Sequence, residues 1–402
     1  MPDQARPLPC RRSLVGACLA HALHDGYTDG LYAFLPVWQA QFGLSYAALA
    51  LIRGLYYGTM GGLQIPADAA LRRLTARAAL VLSTLVAAAG VAIMALPFGI
   101  ASLCAGLFVA GIGSSIQHPR GSLLVTDSHG AASRRALGIY NFSGDLGKAA
   151  LPALAALLLP LLALHTVLGL LALLGIACAA ALAWLLPGRR TPAQSRDAEA
   201  RAAARGRGGF RILTVIGGLD TATRTGYLLF LPFLVHARHG GSPTVGLALA
   251  LLFIGGAFGK ATCGWLGERL GVVNSVVTTE TATAVLIAAT LFTPLTLTLA
   301  LLPLLGIVLN GTSSILYATV PELADGDQGR AFAIFYTGVI GAGGVAPILF
   351  GALADGSTQT AGILAAAATA VAIVPLALAL RAWVPGPGSG AHRPADMHAR
   401  SA

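Results

Sequence analysis

With 402 residues, of which 56% are hydrophobic and only 10% charged, and a mean hydropathy of +0.75, the chain is too apolar to fold as a soluble globular domain. Its formal net charge of +10 rests on arginines placed between apolar runs, not along one polar face, which excludes nucleic acid as a partner. The five cysteines, Cys10, Cys18, Cys104, Cys178 and Cys263, have neither paired nor metal-ligand spacing, so neither a disulfide framework nor a zinc site is expected.

Apolar runs of about 18 to 25 residues recur along the chain, each long enough to cross a hydrocarbon core as a helix. They predict an all-α integral membrane protein with twelve transmembrane helices, at 14–36, 45–67, 78–97, 99–125, 136–161, 164–186, 212–236, 244–266, 272–293, 296–320, 331–354 and 358–384. The first run carries His and Asp and has no small-residue cleavage site, so it is expected to be a retained helix. Domains follow as a cytoplasmic N-terminus 1–13, a six-helix bundle 14–186, a basic linker 187–211, a second bundle 212–384 and a polar Pro/Gly-rich tail 385–402 expected to be disordered. Arg6, Arg11 and Arg12, then Arg72, Arg73 and Arg77, then Arg134 and Arg135, fall on the linker side, which the positive-inside rule makes cytoplasmic, with both termini there.

The two halves echo each other. Gly30 to Pro36 (GLYAFLP) in helix 1 matches Gly226 to Pro232 (GYLLFLP) in helix 7, and Arg135 through Pro152 aligns with Arg330 through Pro347 without a gap. Parallel repeats of this kind place a substrate site near the midplane between the halves.

In these features the chain resembles the major facilitator superfamily over essentially its whole length. That superfamily's Gly-x-Leu-x-Asp-Arg-x-Gly motif is matched by Gly264 to Gly271 (GWLGERLG) after helix 8 and survives in eroded form around Asp68 after helix 2. A finer resemblance is to the fosmidomycin-resistance-type exporters: His21 and Asp25 match their helix 1 motif, His118-Pro119-Arg120-Gly121-Ser122 their helix 4 motif, and Asn141, Gly144 and Gly147 their helix 5 run. Arg120 stands where those relatives usually carry an acid, and Asp145 and Lys148 interrupt the helix 5 run, so the substrate does not follow from the resemblance. The resemblance implies two parallel-repeat bundles and a cavity lined by helices 1, 2, 4, 5, 7, 8, 10 and 11.

Ionisable residues inside such helices are costly in lipid and mark pathways or pairs. His21, Asp25 and Asp29 recur at four-residue spacing on one face of helix 1, and Asp25 lies about 16 Å along it, near the midplane. Asp25 is the expected proton carrier, with His21 as its relay or orienting partner and Asp145 as a second acid. Arg224, Arg53 and Arg120 are candidates for binding an anionic group through bidentate guanidinium contacts, with His118, Lys148, Tyr27, Asn141 and Tyr317 as further substrate contacts. Arg120 lies close enough to the cytoplasmic end to serve a gate or snorkel instead. Asp145 and Lys148 are spaced to bond to each other. Asp68, Glu268 and Arg269 are expected to hold the inward gate closed. Structural roles are favoured for Lys260 and Glu280, and His24 and Asp29 stay open between cavity and packing.

The function expected is a secondary active transporter in a bacterial-type inner membrane, a monomer working by alternating access. It exports a small anionic or zwitterionic compound against protons, without cofactor or metal. The alternatives are a proton-coupled anion uptake symporter, or a membrane-embedded metalloenzyme with His21, His24, Asp25 and His118 as ligands.

Overall fold

The computed structural model describes residues 10–71, 73–188, 207–324 and 328–384, and among them every regular element is helical. In chain order these are α1 (Cys10–Phe42), α2 (Tyr46–Gly62), the short α3 (Gln64–Ala70), α4 (Ala76–Met94), α5 (Ile100–His129), α6 (Ser133–Leu158) and α7 (Leu164–Leu185). The second half follows as α8 (Arg207–His236), α9 (Ser242–Phe292), α10 (Leu295–Leu323), α11 (Gln328–Gly356) and α12 (Gln359–Ala379). Residues 1–9, 189–206 and 385–402, which hold most of the expected N-terminus, linker and tail, lie outside the described residues.

α9 is two membrane-spanning helices joined end to end without a loop. The break is Gly271, at φ 76° and ψ 163°, a conformation that only glycine adopts without strain. Counting those segments separately and setting aside α3, the described helices number twelve. Eight segments are long and apolar enough to cross a membrane. Of the remaining four, α2 has only 17 residues, and α1, α6 and α8 each carry buried acids, Asp25 and Asp29, Asp145, and Asp220. Large apolar side chains such as Leu161, Trp184 and Phe292 are exposed on the outer faces, where lipid takes the place of water.

Two boundaries depart from expectation. The first helix was expected to end at Pro36 but runs through it to Phe42 and stops at Gly43, whose φ is 62°; neighbouring helices tolerate a proline there as they do in other membrane spans. The second helix divides near Gly62, and the eroded motif forms α3. Polar caps set other ends: Ser45, Thr75 and Thr358 accept N–H bonds from Ala48, Ala78 and Ala361.

α1 packs on α6 and α5, α4 on α5, and the halves meet where α6 faces α9, α2 faces α11 and α1 faces α8. The halves close on each other at the end bearing the α1–α2 and α11–α12 loops. There a Cβ on Gly351 would lie 2.7 Å from the Ala47 nitrogen, and one on Gly246 2.6 Å from Ala156 Cβ. Asp355 crosses that seam, accepting from the Tyr46 and Ala47 N–H groups at 2.8 and 2.9 Å and so capping α2 from the other half. Asp355→Ala is expected to weaken the seam by about 1 kcal/mol, roughly a fivefold shift in population. Spin-label distances across this end should lengthen; an unchanged distribution contradicts the capping role.

Candidate functional site

A cavity of about 470 Å³ lies between the halves, lined by α1, α2, α5, α6, α8, α9, α10 and α11. A second of about 890 Å³ shares Asn141, Lys148, Arg224, Lys260, Asn310, Tyr317 and Tyr336 with it. The second extends to Leu137, Ala318 and Phe332, near the ends of α6, α10 and α11 that lie away from the closed seam. The polar space between the halves is therefore shut at one end and reaches toward the other.

The site is built on the contact between α1 and α6. A Cβ on Gly147 would lie 1.9 Å from the Ala22 carbonyl oxygen, and one on Gly144 would lie 2.6 Å from Asp25 Oδ2 and 2.8 Å from His21 Cε1. Only at glycine positions can the two backbones come this close, and the approach sets Lys148 and Asp145 beside Asp25. Asp25, 7% exposed, has three bases around it: His21 Nε2 and Lys148 Nζ each 3.3 Å from Oδ2, and His118 Nε2 3.6 Å from Oδ1. The expected pairing of Asp145 with Lys148 is present at 3.7 Å, but Asp145 also bonds Lys260 Nζ at 2.7 to 2.8 Å. That contact joins α6 in one half to α9 in the other.

Hydrogen-bond chemistry fixes one proton here. His21 Nδ1 is 2.8 Å from the Tyr140 carbonyl, which only accepts, so Nδ1 carries hydrogen. Nε2 then meets Asp25 favourably only as an imidazolium facing a carboxylate, or as a bare nitrogen accepting from a carboxylic acid. In both forms the pair holds one proton beyond neutral imidazole and carboxylate. Tyr140 also stacks on His21, with ring centroids 4.0 Å apart, and this holds the imidazole in place.

Arg53 and Arg224 both line the cavity, and among the described residues neither is in an ion pair. Arg53 is 4% exposed and lies over the Tyr32 and Tyr57 rings, at 4.2 and 5.2 Å from their centroids, with its Nε unpartnered. Asp29 also lines the cavity and sits in the electrostatic field of Lys148, Arg53 and Arg224. Tyr317 packs against Tyr336 and Phe335, both at 5.1 Å between centroids.

Of the expected site residues, His21, Asp25, His118, Lys148, Arg53, Arg224, Asn141, Asp145 and Tyr317 line this connected space. Two do not. Tyr27 turns away and donates to the Leu171 carbonyl at 2.7 Å, and Arg120 is buried in α5 outside the cavity wall that holds His118, Pro119 and Ser122. His24 is fully buried among Ser114 at 3.0 Å and Thr84 and Ser83 at 3.3 Å, which makes it a packing residue. Arg269 is exposed, its guanidinium 5.2 Å from the Trp265 ring centroid; the side chains of Asp68 and Glu268 lie outside the described residues. Lys260, expected in a structural role, lines the cavity, as does Tyr57. The glycines of α11 also divide: Gly343 packs against Thr221 and Tyr57, whereas nothing lies within 4 Å of a Cβ on Gly341 or Gly344.

His21, Asp25 and His118 present donor atoms within 4.8 Å of one another, a two-histidine, one-carboxylate set. The Lys148 ammonium already occupies the carboxylate's cation-facing side, so the cluster is better suited to a proton than to a metal ion.

The sequence matches the Major Facilitator Superfamily over residues 17–215 and again over 213–401. No curated protein sequence matches it. Among solved structures, a bacterial homologue of the human lysosomal transporter Spinster, inward-facing and unoccupied, is similar at a TM-score of 0.75 and 15% identity, over 93% of this chain and 98% of that one. A POT family transporter in complex with 5-aminolevulinic acid is similar at 0.75 and 13% identity, over 95% and 97%. Another, with a thioalcohol-conjugated peptide, is similar at 0.73 and 14% identity, over 92% and 96%. At these identities the structural likeness is one of fold, and the sequence match carries the assignment: the chain belongs to the Major Facilitator Superfamily and is a multi-pass membrane transporter, not an enzyme.

Proposed function

We propose that the protein exports a small anionic or zwitterionic organic compound in exchange for protons, as a fosmidomycin-resistance-type member of the superfamily. It acts as a monomer in a bacterial inner membrane, with both termini cytoplasmic and bundles at 14–186 and 212–384 joined by the 187–211 linker. The observation that carries this reading is Asp25, ringed by His21, His118 and Lys148 in the wall of a cavity between the halves. Arg53 and Arg224 supply fixed positive charge in the same wall, in no ion pair among the described residues, which suits a carboxylate or phosphonate that must shed water.

The seam at the α1–α2 loop end corresponds, on this topology, to a state open to the cytoplasm, the state described for the inward-facing Spinster homologue. Turnover then requires the seam to part and the cytoplasmic ends to close, with Asp68, Glu268 and Arg269 serving that gate. The Asp145–Lys260 pair spans the halves and must lengthen or re-pair as they rock.

The test is purified protein in proteoliposomes under an imposed pH gradient, offered phosphonates, organic acids and neutral drugs. An anionic or zwitterionic compound should move opposite to the proton. Movement with the proton assigns uptake by symport instead, and no response to the gradient removes proton coupling. Gly144→Ala is expected to lower gradient-driven transport about tenfold, because the added methyl displaces Asp25 and His21 at a cost of about 1–3 kcal/mol. Wild-type rates in that variant contradict the placement of the pair.

A further inference from the structure

We propose that Asp220 and Glu280 form a second proton-binding site, in the half opposite Asp25, where two carboxyls share one proton. Its existence stands on the geometry below, and only its part in transport rests on the proton-coupled function proposed above. Asp220 is 3% exposed on α8 and Glu280 is 1% exposed on the second segment of α9, and the two carboxyls face each other in the same buried space. Two ionised carboxylates have only acceptors to offer and repel each other, so carboxyls buried side by side are joined by a proton. Glu280 Oε1 is buried with no partner among the described residues. A carboxylate would lose hydration there with nothing in return, whereas a neutral carboxyl tolerates the position.

The surroundings agree. Arg224, one turn along α8, is the cation that faces Asp220. Thr312 of α10 hydrogen-bonds Thr279, the residue before Glu280, at 2.9 Å. Cys263 from the first segment of α9 and Tyr317 from α10 are the other ionisable groups coupled to the pair. α12 has no ionisable residue, and α11 has Tyr336 on the cavity wall with its remaining ionisable residues at its ends. With no cation on the Glu280 side, neutrality falls to the shared proton.

A route in and out exists on one side only. Asp220 lines the 890 Å³ cavity beside Arg224 and Lys260, while Glu280 sits behind it and is not part of that wall. A proton therefore exchanges with the cavity through Asp220. After release, Asp220 can turn to Arg224 four residues on, which is the geometry of a helical ion pair. Glu280 is not part of the cavity wall, so it stores the proton out of reach of the transported compound, and only Asp220 faces the substrate space. Together with the proton held between His21 and Asp25, the protein has a site in each half, enough for two protons per cycle.

Infrared difference spectroscopy over a pH titration tests the site without any substrate. A protonated-carboxyl band should appear in the wild type, disappear in Glu280→Gln, shift in frequency but remain in Asp220→Asn, where Glu280 keeps its proton, and persist unchanged in Asp25→Asn. Both amides preserve a hydrogen bond across the pair, so the fold is retained. If no band is removed by Glu280→Gln, the site is overturned. For transport, the limiting concentration ratio under a one-unit pH gradient, with the membrane potential clamped at zero, should fall about tenfold in Glu280→Gln as two protons become one. An unchanged ratio overturns the second proton's part in turnover. A wild type that ignores the gradient overturns proton coupling itself, and the infrared band still decides the site.

Discussion

Asp25→Asn is expected to abolish pH-gradient-driven transport, by at least about a hundredfold, while substrate exchange across the same liposomes persists at a reduced rate. Asparagine keeps the size and a hydrogen-bonding oxygen but cannot take up or release a proton. Lys148 retains Asp145 at 3.7 Å, an acid it shares with Lys260, when Asp25 loses its charge, so the amide variant keeps a carboxylate beside the buried ammonium. His21 keeps its bond to the Tyr140 carbonyl. Driven transport and exchange should therefore separate. If both fall equally, Asp25 is part of the scaffold; if driven transport is unchanged, Asp25 is not in the proton path.

Arg224→Ala is expected to weaken binding of anionic compounds by about 1.5–3 kcal/mol, roughly 10- to 150-fold, with little change for neutral ones. The guanidinium stays charged and can bond a carboxylate or phosphonate in two places, and Arg224→Lys should recover only part of the loss because an ammonium cannot form the same fork. Competition binding on purified protein measures both. Arg224 also acts on Asp220, Asp29, Tyr57 and Tyr317, so a structural role has its own signature: equal weakening for neutral and anionic ligands.

Most of the fold was legible before any coordinates, because a bilayer leaves so few solutions. Apolar runs located ten of the twelve spans to within about five residues, and helix 1, continuing beyond Pro36, and the division of helix 2 escaped. The site was legible where a single helix carries the pattern. His21, Asp25 and Asp29 recur every fourth residue and do share the cavity face. Rotation along a helix also explains two of the misplaced residues: Tyr27 and Arg120 each lie two residues, about 200° of turn, from Asp25 and His118, and so point elsewhere. Lys260 and Glu280 were not legible in this way. Their surroundings are set by which helices of a different segment or half come alongside, a property that spacing within one helix does not encode. Gly144 stands out in the sequence as part of the helix 5 run, but that its neighbour is the Asp25 carboxyl emerged only from the packing.

The central claim is that the cluster around Asp25 exchanges a proton when substrate moves. The direct measurement is proton flux in proteoliposomes carrying an internal pH dye, with no gradient imposed and a transported anion added on one side. The dye should report proton movement opposite to the substrate, absent in Asp25→Asn. Substrate movement with no accompanying change of internal pH in the wild type would contradict the account.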